Sequence, residues 1–457
     1  MRSVYFIGIG GIGMSALARY FHHQGWEVGG YDLTPSSLTA TLELENIWVH
    51  YEDDVASIPH RFLVPETLVI YTPAIPKEHG ELNYYRSRGY RMLKRSEALG
   101  EITRLGRGLC VAGTHGKTTT STLLAHLLYS TLGCSAFLGG ISNNYKTNLL
   151  LSEANDYVVV EADEFDRSFH RLKPHMAIIT SADPDHLDIY GTEGAYRESF
   201  EHFTSLIEAG GALVMRKGIP LTPRLGVDVA FYTYALDEEA DFYASDVHIE
   251  GGRLFFRWHY PAIQTKSAGS LEVELGVPLL INVENAVAAL AIGYLTGVSP
   301  EHLSEALAGF RGVCRRFDRV VDTPSRVLID DYAHHPVELE ASIRSVRRLY
   351  PNRRLLGVFQ PHLYSRTRDF YQAFASSLDL LDEAILLDIY PAREKPLEGV
   401  SSEMIAQEMG LSNKVVLAKG QLLPYLRERK DDLDVVLMVG AGDIDRLVPD
   451  VAALMKS

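Results

Sequence analysis

The run Val111-Ala112-Gly113-Thr114-His115-Gly116-Lys117-Thr118-Thr119-Thr120 limits the fold more than any other stretch of the chain. An apolar segment leads into glycines, then a lysine and threonines, then leucines at 123, 124, 127 and 128. That leucine spacing gives a helix one apolar face, and Gly133 is placed to cap its C-terminus. Strand, glycine loop and helix in this order make a phosphate cradle. Backbone N–H groups from Gly113 to Lys117 point at phosphate oxygens, Lys117 neutralises β/γ charge, and Thr118 offers a hydroxyl to Mg²⁺. The spacing is one the usual P-loop does not have, since counting back from Gly116-Lys117-Thr118 lands on Val111 and the nearest upstream glycine is Gly113. A helix dipole contributes only about 0.3–1 kcal/mol at an exposed end. Lysine and metal must therefore supply most of the neutralisation. A helix start without a ligand leaves the combination unexplained.

A second loop, Gly8-Ile9-Gly10-Gly11-Ile12-Gly13, matches G-x-G-x-x-G between a strand and a helix, and Asp32 follows the next strand at ribose-reaching distance. Its glycines let the backbone approach a diphosphate at the helix N-terminus. Read by itself the motif fits NAD(P) or FAD, another diphosphate ligand, or simple tight packing. Mg²⁺ beside a nucleotide needs carboxylate and neutral ligands, and Glu161 and His186 stand where the next two strands end. In a parallel sheet those ends converge on the crevice that holds the phosphate loop.

A chain of 457 residues exceeds one core. Its strand–helix alternation predicts an α/β protein with parallel, doubly wound sheets. Residues 211–276 turn β-rich, with a hairpin expected across Gly251-Gly252. The boundaries read as 1–107, 108–314 and 315–457. A net charge of −15 excludes a sequence-independent nucleic-acid binder. Cys110, Cys134 and Cys314 are odd in number and far apart, so no disulfide framework or zinc pattern follows. No stretch of 18 or more apolar residues predicts a membrane span, and a cytoplasmic protein is expected.

The motifs "GTHGKTTT", "VEADEFD", "DPDHLD", "NVENAVAA", "RRFD", "DDYAHHP" and "FQPHLYSRTRD" together resemble the Mur ligases, in order and over nearly the whole chain. The resemblance implies a Rossmann-like UDP-substrate domain, a central P-loop ATPase-type domain with the β-rich insertion, and a Rossmann-like C-terminal domain that closes over ATP and binds the amino acid. It implies that the first glycine loop holds the diphosphate of a UDP-sugar through Gly10, Gly11, Ile12 and Asp32. ATP falls to Gly113, Thr114, His115, Gly116, Lys117, Thr118 and Thr119, with Asn285 at adenine, Arg316 at the phosphates and Asp331 at the ribose. Thr118, Glu161 and His186 serve Mg²⁺. Tyr332, His334 and Arg366 line the amino-acid site, and Lys117, Arg316 and His334 carry catalysis.

The "GIGGIGMS", "DDYAHHP" and "SRTRD" motifs resemble the alanine-adding type and its murein-peptide-recycling cousin. The implied reaction is ATP-driven amide formation between UDP-N-acetylmuramate and L-alanine, with a recycling ligase that adds a tripeptide as the alternative. A nicotinamide oxidoreductase and a non-catalytic nucleotide-binding regulator are the rivals outside that chemistry. Two positions depart from the family pattern. Ile281-Asn282 stands where the family has His-Asn, and His362-Leu363-Tyr364 where it has His-Arg-Tyr. No lysine lies between His186 and Lys217, so no carbamylated lysine is expected near the magnesium.

Overall fold

The computed structural model describes residues 2–263, 267–392 and 394–457. The first sheet holds β1 (Ser3–Ile7), β2 (Glu27–Tyr31), β3 (Trp48–His50), β4 (Leu68–Tyr71) and β5 (Arg91–Lys94). Their order is β3-β2-β1-β4-β5 and every pairing is parallel. All five residues of β1 are buried, as expected for a strand covered on both faces. The strand order reverses beside β1, so the loop from Gly8 to Gly11 opens at the topological switch point where such sheets bind ligands.

The central sheet comprises β6 (Arg107–Ala112), β7 (Ser135–Phe137), β8 (Leu149–Leu150), β9 (Tyr157–Glu161), β10 (Pro174–Ile179), β11 (Ala212–Arg216), β12 (Ala230–Leu236), β13 (Phe242–Glu250), β14 (Arg253–Tyr260) and β15 (Gly269–Leu275). It runs β15-β14-β13-β12-β11-β10-β6-β9-β7-β8. The phosphate-loop strand β6 sits between β10 and β9, parallel to both. The helix Lys117–Thr131 follows the loop, and Gly133, at φ 77°, donates its N–H to Leu128 O as the expected C-terminal cap. The β13–β14 turn carries Gly251 and Gly252 at φ 58° and 77°, which is the expected hairpin.

These two sheets share one apolar core running from Val4 and Phe6 through Leu17 to Phe137 and Val160. The helix Ile12–His23 packs on β7 through Tyr20, whose ring lies 5.5 Å from Phe137. Asn148 locks the same helix, donating to Ile12 O at 2.6 Å and to Ser15 Oγ at 2.9 Å. Both sheets consequently fall in a single compact unit, residues up to His248 with Phe255–Gly276 and Asn282–Arg311.

The second unit comprises Ile249–Leu254, Val277–Ile281 and Gly312–Ser457. Its sheet contains β16 (Asp318–Asp322), β17 (Val327–Asp331), β18 (Leu355–Phe359), β19 (Glu383–Leu387), β20 (Lys414–Leu417) and β21 (Val435–Val439). The order is β16-β17-β21-β18-β19-β20, parallel except for β16 against β17. Cys110 and Cys134 are free and buried, and burial pushes the Cys134 thiol up to about 12. They pack as small apolar side chains. Among the described residues, no helix is long and apolar enough to cross a membrane.

Candidate active site

A cleft of about 990 Å³ opens over the first glycine loop, large enough for a nucleotide-sized ligand. Gly10, Gly11, Ile12 and Asp32 line it together, and Glu161 from the central sheet joins them. Asp32 accepts the Gly10 N–H at 2.7 Å and the Thr34 N–H at 3.2 Å, so its carboxylate braces the loop. A Cβ on Gly10 would stand 2.8 Å from that carboxylate, which is why the position takes glycine.

Gly116 ends the phosphate loop at φ 80°, a conformation that favours glycine, and caps the Lys117–Thr131 helix. The loop is tied down by the segment after β10. His115 N–H donates to Ser181 Oγ at 2.8 Å, and Thr114 Oγ1 donates to Asp183 O at 2.7 Å and meets Tyr196 OH at 2.8 Å. Lys117 Nζ donates to Gly113 O at 2.6 Å and to Thr114 O at 3.2 Å, and reaches the two Glu164 carboxylate oxygens at 3.0 and 2.8 Å. Its three hydrogens are thus all engaged. Glu164 is buried; burial pushes its carboxyl upward and Lys117 opposes the shift.

Thr118 and Thr119 lie in the first turn of this helix. Asn285, on the helix Ile281–Leu295, is buried against the loop: it accepts from Thr120 Oγ1 at 3.1 Å and donates to Asn282 Oδ1 at 3.2 Å. A Cβ on Gly116 would come within 2.8 Å of its Oδ1. Its side chain, expected at adenine, thus lies beside the loop.

Glu161 closes β9 opposite Val111, two residues before Gly113. Its Oε2 is buried and, among the described residues, has no hydrogen-bond partner, and a Cβ on Gly139 would collide with that carboxylate. An unpartnered buried carboxylate oxygen beside a phosphate loop fits a bound cation. His186 lies seven residues beyond the end of β10, at φ 53°, with its ring edge-on to Phe165 at 5.1 Å.

In the second unit, Asp331 ends β17, buried, and accepts the Phe317 N–H at 3.3 Å; burial pushes its carboxyl up. Arg316 stacks over Tyr332 with its guanidinium carbon 4.9 Å from the ring centre. Tyr332 also meets His334 at 5.4 Å, and His334 meets His362 at 6.2 Å. Arg366, in the first turn of the helix Tyr364–Leu378, places Nη1 3.5 Å from His362 Nδ1. Tyr332, His334 and Arg366 are thereby joined through His362, a residue the sequence reading did not select. Burial and the neighbouring Arg366 hold the His362 imidazole down to about 4.

His334 Nδ1 lies 3.0 Å from Tyr332 O, a group that can only accept, so Nδ1 carries the hydrogen and Nε2 the lone pair. Burial pushes this imidazole below its usual range, with Glu338 opposing. A neutral histidine with a fixed tautomer can take a proton at Nε2. Leu363, the departure from His-Arg-Tyr, sits at φ 71° and ψ 134°, a strained backbone for a leucine.

Three family models cover most of the chain: "Mur ligase family, catalytic domain" matches residues 3–107, "Mur ligase middle domain" 111–293, and "Mur ligase, glutamate ligase domain" 315–442. The chain belongs to the Mur ligase family. Mur ligases are ATP-dependent ligases, so a nucleotide cradle is part of this one. This Mur ligase is 62% identical to the UDP-N-acetylmuramate–L-alanine ligase of Porphyromonas gingivalis, over 100% of both chains. It is 57% identical to the enzyme so named in Parabacteroides distasonis, over 99% of this chain and 97% of that one. The crystal structure of UDP-N-acetylmuramate–alanine ligase MurC from Thermotoga maritima superposes with a TM-score of 0.84 at 28% identity, covering 100% and 99% of the two chains. A murein peptide ligase from Psychrobacter arcticus shares the fold at a TM-score of 0.69 and 22% identity, over 100% and 99% of the chains.

Proposed function

We propose that this protein joins L-alanine to the lactyl carboxylate of UDP-N-acetylmuramate, using ATP, in the synthesis of peptidoglycan precursors in the cytoplasm. The observation that carries the reading is Glu161. It lines the cleft of the first glycine loop and is the register partner of the strand that feeds the phosphate loop. A UDP-sugar over the first loop and a nucleotide on the second meet at that residue.

The lactyl carboxylate attacks the γ-phosphorus of ATP, giving an acyl phosphate and ADP. The alanine amine then attacks the acyl carbon, the C–N bond forms, and inorganic phosphate leaves. Phosphoryl transfer needs positioning and charge neutralisation. Gly113, Thr114, His115, Gly116 and Thr119 shape the cradle, Lys117 meets the β/γ-phosphates, and Asn285 reaches adenine. Thr118, Glu161 and His186 would hold Mg²⁺, which when bound neutralises phosphate charge. In the second unit Arg316 and Asp331 serve the nucleotide, and Tyr332, His334 and Arg366 bind alanine. His334 takes the amine proton at Nε2. Residues 1–107 bind the UDP-sugar, 108–314 ATP, and 315–457 the amino acid.

Phosphate release with ATP, Mg²⁺ and UDP-N-acetylmuramate tests the reading: it is expected to need L-alanine, and release independent of UDP-N-acetylmuramate would overturn it. A small apolar pocket separates one methylene by only about 1–3 kcal/mol, so glycine and L-serine are expected to react at high concentration. Glu161→Ala and His186→Ala are each expected to raise the Mg²⁺ concentration needed for half-maximal rate. Their double variant falls short of additivity, because both act on one ion. Unchanged titrations with full additivity would assign the two side chains to structure.

A further inference from the structure

We propose that Arg95 is the cation that binds the diphosphate of the UDP-sugar. The inference rests on the reading of the cleft as the UDP-N-acetylmuramate site. That substrate brings two ionised phosphates and a carboxylate. The described residues lining the cleft include five carboxylates, Asp32, Asp53, Glu78, Glu161 and Asp163, and Arg95 as the one lysine or arginine. The glycine loop offers backbone N–H groups and no charge, and Asp32 already takes the N–H of Gly10. A trianion entering this cleft has Arg95 as its one permanent positive partner among the described residues of the cleft wall.

The geometry of Arg95 suits the task. It is the first residue of the helix Arg95–Thr103, directly after β5. A cation at a helix N-terminus opposes the dipole, so its position does not serve helix stability. Its guanidinium forks. Nη2 donates to Asp163 Oδ2 at 2.8 Å, and Nη1 lies 2.6 Å from where a Cβ on Gly13 would stand. The second arm therefore rests on the first turn of the Ile12–His23 helix, whose N-terminal backbone N–H groups suit a diphosphate placed at that helix end. Glycine at position 13 is what lets the guanidinium come this close. Asp163 lies two residues past Glu161 and holds the fork in place, so Arg95 orients the sugar end of the substrate toward the phosphoryl-transfer residues.

The test is calorimetric titration of the full chain with UDP-N-acetylmuramate and with UDP, using the wild type, Arg95→Ala, Arg95→Lys and Asp163→Asn. Arg95→Ala is expected to weaken both ligands by about 10- to 100-fold, the worth of a charge-assisted pair. Arg95→Lys keeps the charge and recovers part of the loss, and Asp163→Asn, which leaves the guanidinium, binds more tightly than Arg95→Ala. Wild-type affinity in a folded Arg95→Ala protein overturns the proposal. So does a loss for UDP-N-acetylmuramate with none for UDP, which moves the contact to the lactyl carboxylate. An equal loss in Asp163→Asn also overturns it, since the pair would then be only a strut. A wild type that binds ATP and neither UDP ligand overturns the reading of the cleft itself, a result distinct from the others.

Discussion

Replacing Lys117 with alanine is expected to lower phosphate release by about 10²–10³-fold or more, the loss that follows removal of a charge donor aimed at the transition state. The same substitution also destabilises the protein. Lys117 is the ion-pair partner of Glu164, whose side chain is 3% exposed, and removing one member of a buried pair costs about 3–5 kcal/mol. A melting curve of Lys117→Ala should therefore shift several degrees downward. Adding Glu164→Gln removes the stranded carboxylate. The double variant should melt near the wild type and remain inactive, which separates catalysis from folding. Near-normal turnover in that folded double variant would show that the loop after β6 is not the ATP cradle.

His334→Ala is expected to lower kcat by about 10²–10⁴-fold, the range for a positioned general base. The pH dependence carries the sign. In the proposed reaction the base is the neutral imidazole, and protonation on the acid side removes it. Burial pushes this imidazole below its usual 6.5, a shift to which Arg366 and Arg316 add and which Glu338 opposes. The acid limb of the wild-type rate should therefore lie below that of an ordinary histidine. His334→Ala should lose that acid limb. The same acid limb surviving in His334→Ala would remove the residue from proton transfer.

Much of this was legible in the sequence because the signals are local. The phosphate loop is one strand, one turn and one helix, so the run from Val111 to Leu128 contains its whole description. Glu161 was legible because a carboxylate at the end of an apolar run marks a strand end. Arg95 was not. It stands in the polar run Lys94-Arg95-Ser96-Glu97, which reads as a solvated helix start, and its meaning depends on Gly13 and Asp163, remote in sequence. Glu164 was hidden for a related reason: four of the six residues from Glu161 through Asp166 are acids, and no pattern marks the one that faces inward. The contact of Asn285 with Thr120 had no local signal, because the two are 165 residues apart. The positive φ of Leu363 had no signal either, since glycine or asparagine is the usual mark of such a backbone.

The central claim concerns the acceptor. Tyr332, His334 and Arg366, joined through His362, offer a cation and a neutral base within one small cluster, which fits a single α-amino acid. Mass spectrometry of the product decides it, with ATP, Mg²⁺, UDP-N-acetylmuramate, L-alanine and the tripeptide L-Ala-γ-D-Glu-meso-diaminopimelate all present at equal concentration. The account predicts UDP-N-acetylmuramoyl-L-alanine as the dominant product; a dominant UDP-N-acetylmuramoyl-tripeptide would contradict it.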